Sequence, residues 1–499
     1  MSIDGLLTFV GLIVALLALA TDARRSALML RLGTTITITV VLGLAVLYLE
    51  LFDVLAPSCG WRADICGVLV LGSERWLSPQ QGAFLLVLIW IALIGLNLSR
   101  GGLKPRHLPR LMALMTALVE DKRYSEACRV VQPHLGLIAT TAAGKAKGAT
   151  IVQQESATAL QRLFYRRPDL IRFIALERPT LAVEMMAIES YIVFDFAEQL
   201  LRLLAAQTDS PLFIEVYENQ NISSQGYAFP DHNTYLSFLC GTAKQAERLA
   251  AWRPVMENAL AHLSEAKDGA NQVYLNGPAD RFHDEGKWRD PTFVAIRFLD
   301  LMVDAAMRQG VEWHMWLFYT PHLTGSLLEL YDDPRRNEEV FDEWPTRNAY
   351  LLYAIFDALT DWIEAIENLP AGSPHLVLES NRPTHQNSNI PKSAIIALGD
   401  CLRQILMSEA VSDRFKDYLA DIAFRCVSTL PADGDNADFR QSLIASLVAG
   451  GAMMKADHLP RLQEAFAGLD HVLRERLEDV RVPLENALGI WPARPGEGR

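Results

Sequence analysis

DPTFVAIRFLDLMVDAAMRQ, residues 290–309, decides how the larger part of this chain folds. Pro291 stands where a helix begins, a position at which its missing N–H leaves nothing unpaired that was not unpaired already. Asp290, just before it, is a residue type that accepts the free N–H groups of a first turn. An amphipathic run of helical length follows. The same start recurs at Arg167-Pro168-Asp169, Arg178-Pro179-Thr180, Ser210-Pro211 and Ile390-Pro391. Amphipathic runs cover 179–206, 234–264, 345–369, 391–409, 412–430, 436–455 and 470–488. Fragments such as Leu376-Val377-Leu378 are too short to be convincing strands. The fold class expected is all-α, with a rhythm of consecutive helices like that of helical-repeat scaffolds but no fixed repeat length.

Upstream, residues 108–132 read as two helices. Leu111, Leu114, Met115 and Leu118 recur at helical spacing, Glu120 to Arg123 interrupt, and Ala127, Val130 and Val131 resume. The small-residue stretch ATTAAGKAKG, 139–148, reads as a connector or a helix end.

The first hundred residues differ in kind. Gly5–Ala20, Gly33–Phe52 and Gly82–Leu98 are nearly free of charge. A bilayer core of about 30 Å needs ~20 helical residues. The expectation is therefore a membrane domain over 1–100 with transmembrane helices at about 4–21, 33–52 and 82–98. A juxtamembrane helical linker over 101–150 and a cytoplasmic all-helical domain over 151–499, solenoid-like or globular, would follow. Arg24, Arg25 and Arg31 in one loop, and Arg100, Lys104, Arg106 and Arg110 after the third segment, orient the chain by the positive-inside rule. That places the N-terminus in the periplasm and the C-terminal domain in the cytoplasm of a bacterial inner membrane, with the second basic group against anionic lipid headgroups. Cys59 and Cys66, in the loop CGWRADIC on the oxidising side, are expected to form a disulfide. Cys128, Cys240, Cys401 and Cys426 show no metal-ligand spacing and read as small apolar fillers.

The chain carries 46 Lys and Arg against 59 Asp and Glu, a net charge of −13. Nearly all of that excess follows residue 98. An acidic domain argues against nucleic acid as the partner. No P-loop, G-x-G-x-x-G, H-E-x-x-H or G-x-S-x-G occurs. No cofactor and no metal is expected, and no catalytic residue is assigned.

Chemistry is left to the polar loops. EVYENQNISSQGYAFPDHNTYLSF, 215–238, combines amides with Tyr217, Tyr227, Phe229 and Tyr235. Asn219, Asn221, Asp231 and His232 are its candidate ligand-binding residues, against the plainer reading of a capped turn with Asp231 as N-cap. NGPADRFHDEGKWRDP, 276–291, and SPHLVLESNRPTHQNSNIPKS, 373–393, are the other two. EWHMWLFYTPH, 312–322, reads as core packing. The leading functional expectation is a membrane-anchored helical scaffold or sensor that binds a protein partner or ligand, with membrane lipids or a second copy of the chain as further partners. The alternatives are a pore-forming or membrane-perturbing effector and, third, a membrane-bound enzyme.

Overall fold

The structure, a computed structural model, describes residues 32–50, 79–99, 103–220, 227–265, 269–279, 282, 285–311, 316–332, 344–378, 389–434, 436–453, 455–469 and 486–487. Every regular element among them is helical. The chain divides into two compact units, residues 1–174 with 188–192, and residues 175–187 with 193–499.

In the first unit, α1 (Leu32–Glu50) lies against α2 (Pro79–Ser99). Val46, Ala83 and Val87 close the seam, and Leu49 and Leu86 pack beside it. The multi-pass inner-membrane reading is corrected here. Among the described residues no helix is long and apolar enough to cross a membrane. Hydropathy also counts Val46, Ala83 and Val87 as lipid-facing, whereas they face protein. The proposed span at 4–21 lies outside the described residues, as do Cys59 and Cys66 with their expected disulfide. The periplasmic N-terminus and cytoplasmic C-terminal domain fall with the spans. Of the four basic residues expected at lipid headgroups, Arg100 is outside the described residues. Lys104 and Arg106 belong to the 3₁₀ turn before α3, and Arg110 to the first turn of that helix.

α3 (Leu108–Glu120), α4 (Tyr124–Val131), α5 (Leu135–Ala142), α6 (Ile151–Arg166) and α7 (Pro168–Glu177) follow. Leu108, Leu111, Met115, Leu118 and Val119 form the buried stripe of α3, and α6 packs on α3 and α5 with Ala157, Leu160 and Phe164 buried. The small-residue stretch is the end of α5 plus two turns, where Gly144 and Gly148 take positive φ.

The second unit contains α8 (Pro179–Met186), α9 (Ile192–Ala205), α10 (Pro211–Glu218), α11 (Thr234–Leu239), α12 (Ala243–Leu249), α13 (Trp252–Glu265), α14 (Ala270–Leu275), α15 (Pro291–Arg308), α16 (Tyr319–Leu330), α17 (Arg347–Glu364), α18 (Ile390–Met407), α19 (Asp413–Thr429), α20 (Ala437–Ala449) and α21 (Leu459–Gly468). The caps read from the sequence are made. Asp290 Oδ1 accepts the N–H groups of Thr292 and Phe293 at 2.8 and 3.0 Å, and Ser210 Oγ accepts that of Phe213 at 3.4 Å. At α18 the cap is Asn389, whose Oδ1 accepts the Lys392 N–H at 2.9 Å.

Two long runs are broken. The run 179–206 splits between α8 and α9. The run 234–264 becomes α11, α12 and α13, because Ala250 takes a left-handed conformation at φ 48° and the chain turns at Gly241. A Cβ on Gly241 would lie 2.1 Å from the Ser237 carbonyl oxygen, so only glycine fits. Gln309 then bridges the break: its Nε2 donates to the Cys240 carbonyl, and its Oε1 accepts the Ala243 N–H, both at 2.8 Å. Periodicity survives such a turn, so sequence alone shows one run.

α15 packs between α13 and α17, and α17 in turn on α18 and α19. α15 and α17 are buried along most of their length, including Phe298, Leu299, Leu351, Ile355, Phe356 and Trp362. Two polar side chains on this inner surface, Asp300 and Asp304, are mostly enclosed. Cys240, Cys401 and Cys426 are buried free thiols, each pushed upward by burial, Cys401 to about 12.

Candidate functional site

The loop between α10 and α11 is held shut at its base. Asn219 Nδ2 donates to the Glu215 carbonyl at 2.7 Å and to Asn233 Oδ1. Asn233 Nδ2 donates to Glu218 Oε2 at 2.6 Å, and His232 Nε2 lies 2.8 Å from the same oxygen. The bond from Asn233, followed by that of His232, lowers the Glu218 carboxyl. Asn219 and Asn233 are buried, whereas Asp231 and His232 are exposed. Asn221 lies outside the described residues. Asp231 is not the N-cap of α11. That service comes from Glu215, whose two oxygens accept the N–H groups of Tyr235 and Leu236 at 3.1 and 2.7 Å. Burial pushes the Glu215 carboxyl up to about 7 in spite of these bonds.

One mutational consequence follows from this base. Asn219→Ala leaves the buried Asn233 oxygen without its donor, so stability should fall by about 1–3 kcal/mol. His232→Ala, at an exposed pair, should change it by less than about 0.5 kcal/mol. Urea unfolding of the two variants checks the contrast; equal losses would show that Asn219 is not the closing bond.

Beyond the base, the chain returns onto α15. Arg297 Nη2 donates to the carbonyls of Asn219 and Gln220 at 3.3 and 2.9 Å, and its Nη1 pairs with Asp300. Its Cζ lies 5.0 Å from the Tyr227 ring centroid. Asp300 also accepts from Tyr227 Oη at 3.3 Å and from Trp362 Nε1 at 2.8 Å. It thus ties the loop, α15 and α17 together.

The 3₁₀ turn Gly286–Arg289 packs on α10 and α15. Trp288 stands edge-on to Tyr217 at 5.5 Å and to Phe293 at 5.1 Å. Lys287 Nζ donates to Tyr350 Oη at 2.9 Å and lies 5.6, 5.5 and 5.3 Å from the ring centroids of Trp288, Phe293 and Tyr350. Tyr350 leads to Tyr353 at 5.9 Å, and Tyr353 to a stacked Tyr418 at 6.2 Å.

Carboxylates of α17 flank these rings. Asp357 Oδ1 accepts from Tyr353 Oη at 3.1 Å. Burial raises its carboxyl, while the Tyr353 bond and the charges of Arg297 and Lys287 pull it back. Asp361, one turn on, is exposed, and among the described residues its carboxylate makes no hydrogen bond or ion pair. Its carboxyl is nevertheless pushed up to about 7, first by desolvation, then by the charges of Asp357, Asp300 and Glu364. Asp357, one turn before it, and Glu364, three residues on, share its face of α17. Like charges gathered there favour its protonated form. Glu364 is raised as well, by burial first, and accepts from Thr429 Oγ1 at 3.2 Å.

Two of the three polar loops therefore meet along α15, 215–238 through Tyr217, Asn219, Gln220 and Tyr227, and 276–291 through Lys287 and Trp288. The third joins α15 elsewhere. Pro374 lies 3.6 Å from where a Cβ on Gly310 would sit, some ~15 Å along the axis from Asp300 at 1.5 Å per residue. Its ends are clamped by Asn389 Nδ2, which donates to the carbonyls of His375 and Val377 at 2.8 and 3.0 Å. The aromatic stretch contributes Trp316 to the core, fully enclosed, while Phe318 is exposed against His322 at 4.5 Å.

Arg297, Asp300, Asp357 and Asp361 escaped the sequence reading because each sits inside a helical run whose polar residues look like a solvated face. The available signal was the spacing of Asp300, Asp304, Asp357 and Asp361 between large apolar neighbours. Among the described residues no group of three or more His, Cys, Asp or Glu side chains is placed to hold a metal ion. No protein-family model, no curated protein and no solved structure matches the chain.

Proposed function

We propose that the second unit is a binding module, and that the carboxylates of α17 receive a basic segment of a protein partner. The observation that carries this reading is Asp361, a water-reached carboxylate with no partner among the described residues, crowded by further carboxylates. Such crowding is unfavourable in the free protein and is relieved when a cation arrives. Groups held in a self-repelling arrangement mark binding sites more often than structural ones. Tyr353, whose hydroxyl bonds Asp357, and Tyr418 beside it offer ring faces, which attract ammonium and guanidinium groups. The net charge of −13 steers the same class of partner. This keeps the binding role expected from the sequence and leaves out the membrane.

The test uses the full chain and a fluorescent lysine-rich peptide in low salt. Asp357→Asn/Asp361→Asn should weaken binding about 10- to 100-fold, taking each opposed charge as worth roughly 1.4 kcal/mol or less. The same variant should melt at an equal or higher temperature, since it removes repelling charges. Unchanged binding, or no binding by the parent protein, would sink the proposal. Loss of binding together with lost stability would mean that the carboxylates hold the fold instead.

A further inference from the structure

Building on that binding role, we infer that Lys287 is a tethered occupant: its ammonium fills an aromatic cage that also accepts a free alkylammonium group, and an incoming lysine side chain exchanges with it.

The cage is defined by three rings of different origin. Trp288 comes from the same 3₁₀ turn, Phe293 from the first turn of α15 and Tyr350 from the first turn of α17. Lys287 Nζ stands within 5.6 Å of all three centroids and donates to the Tyr350 hydroxyl at 2.9 Å. Ring faces and a phenol oxygen are the chemistry that recognises an ammonium group. They do not distinguish a lysine of this chain from one supplied by a partner.

Arg297 is built into the scaffold, because it bonds Asp300 and the carbonyls of Asn219 and Gln220 and covers the Tyr227 ring. Lys287 is half-buried, sits on a short turn and has a flexible four-carbon stem. A tethered group has a high effective concentration at its own site. Such a competitor weakens binding of any external amine, and its removal should unmask the cage.

Lys287→Ala deletes the ammonium and its stem. Ethylammonium chloride is the matching probe, with ammonium chloride at equal ionic strength as control. In calorimetric titration the variant should bind ethylammonium at least tenfold more tightly than the parent, and ethylammonium should raise its melting temperature more than the control salt does. The lysine-rich peptide should also bind the variant more tightly, and its acetyl-lysine counterpart should not. A gain for ethylammonium alone identifies a small-amine site; a gain for both identifies a lysine side chain as the exchanging group. If Lys287→Ala does not fold, Lys287→Met retains the stem volume without the charge. That variant should bind the peptide at least threefold more tightly than the parent, because no tethered cation competes for the rings. Equal affinities in the parent and the folded variant would overturn the inference. If the carboxylate variants still lose peptide binding in that case, the binding role stands and only the exchange fails.

Discussion

Replacing Asp300 with alanine is expected to lower the unfolding free energy by about 3–5 kcal/mol, the cost typical of breaking a buried ion pair from one side. Asp300 is only 7% exposed and accepts from Arg297, Trp362 and Tyr227. Its loss leaves the Trp362 N–H, buried on α17, without an acceptor and removes the anion that faces the Arg297 guanidinium. Asp300→Asn keeps an acceptor for Trp362 but loses the charge, so it should cost about half as much. Urea denaturation separates the two, and an unchanged slope would show that both variants unfold from the same native state. A loss below about 1 kcal/mol in Asp300→Ala would mean that the loop, α15 and α17 are held together by apolar packing alone, outside the range typical of such pairs.

The second large effect is a pair of opposite pH dependences. His375 is fully enclosed, and its Nδ1 accepts the Ile390 N–H at 3.3 Å. Burial depresses it from 6.5 to about 4. The unfolded chain therefore binds this proton first. The stability it carries is present above pH 6.5 and is lost as pH falls through 4. Glu215 behaves in the reverse sense. Burial raises it from 4.5 to about 7, so the folded chain binds the proton first. Its contribution is full below pH 4.5 and is lost as pH rises through 7. Each shift corresponds to roughly 3 kcal/mol at 1.36 kcal/mol per unit. Between pH 4.5 and 6.5 the two slopes oppose each other. Against the parent protein, His375→Asn should gain relative stability as pH falls across that window. Glu215→Gln should gain as pH rises across it. Chemical denaturation at half-unit pH steps reads both, and slopes of the same sign in the two variants would refute the assignment.

The helices and their starts were legible because their causes are local. A cap such as Asp290 acts on residues two and three positions ahead, and a proline acts on its own turn, so α8, α10, α15 and α18 begin where the sequence indicates. The all-α class followed from the same periodicity. The membrane reading failed for a related reason. Hydropathy measures how apolar a run is and is blind to what its faces meet, so Val46 and Val87 counted the same whether lipid or a neighbouring helix lay against them. The loop 215–238 was rightly singled out as polar and aromatic, but what its residues do was not readable. Asn219 looked free to bind and is buried, bonding Asn233 fourteen positions away. Asp231 looked like a cap, whereas the cap is Glu215, twenty positions before Tyr235. Such pairings depend on how two helices cross, which no spacing records. Tertiary structure alone brought Arg297, Asp300, Tyr227 and Trp362 to one point, set Lys287 among three rings and added the Asp300 charge to the carboxylates that helical spacing already places beside Asp361. Composition supplied the acidic charge; only packing surrounded part of it with protein, where desolvation and mutual repulsion turn ordinary aspartates into a candidate site.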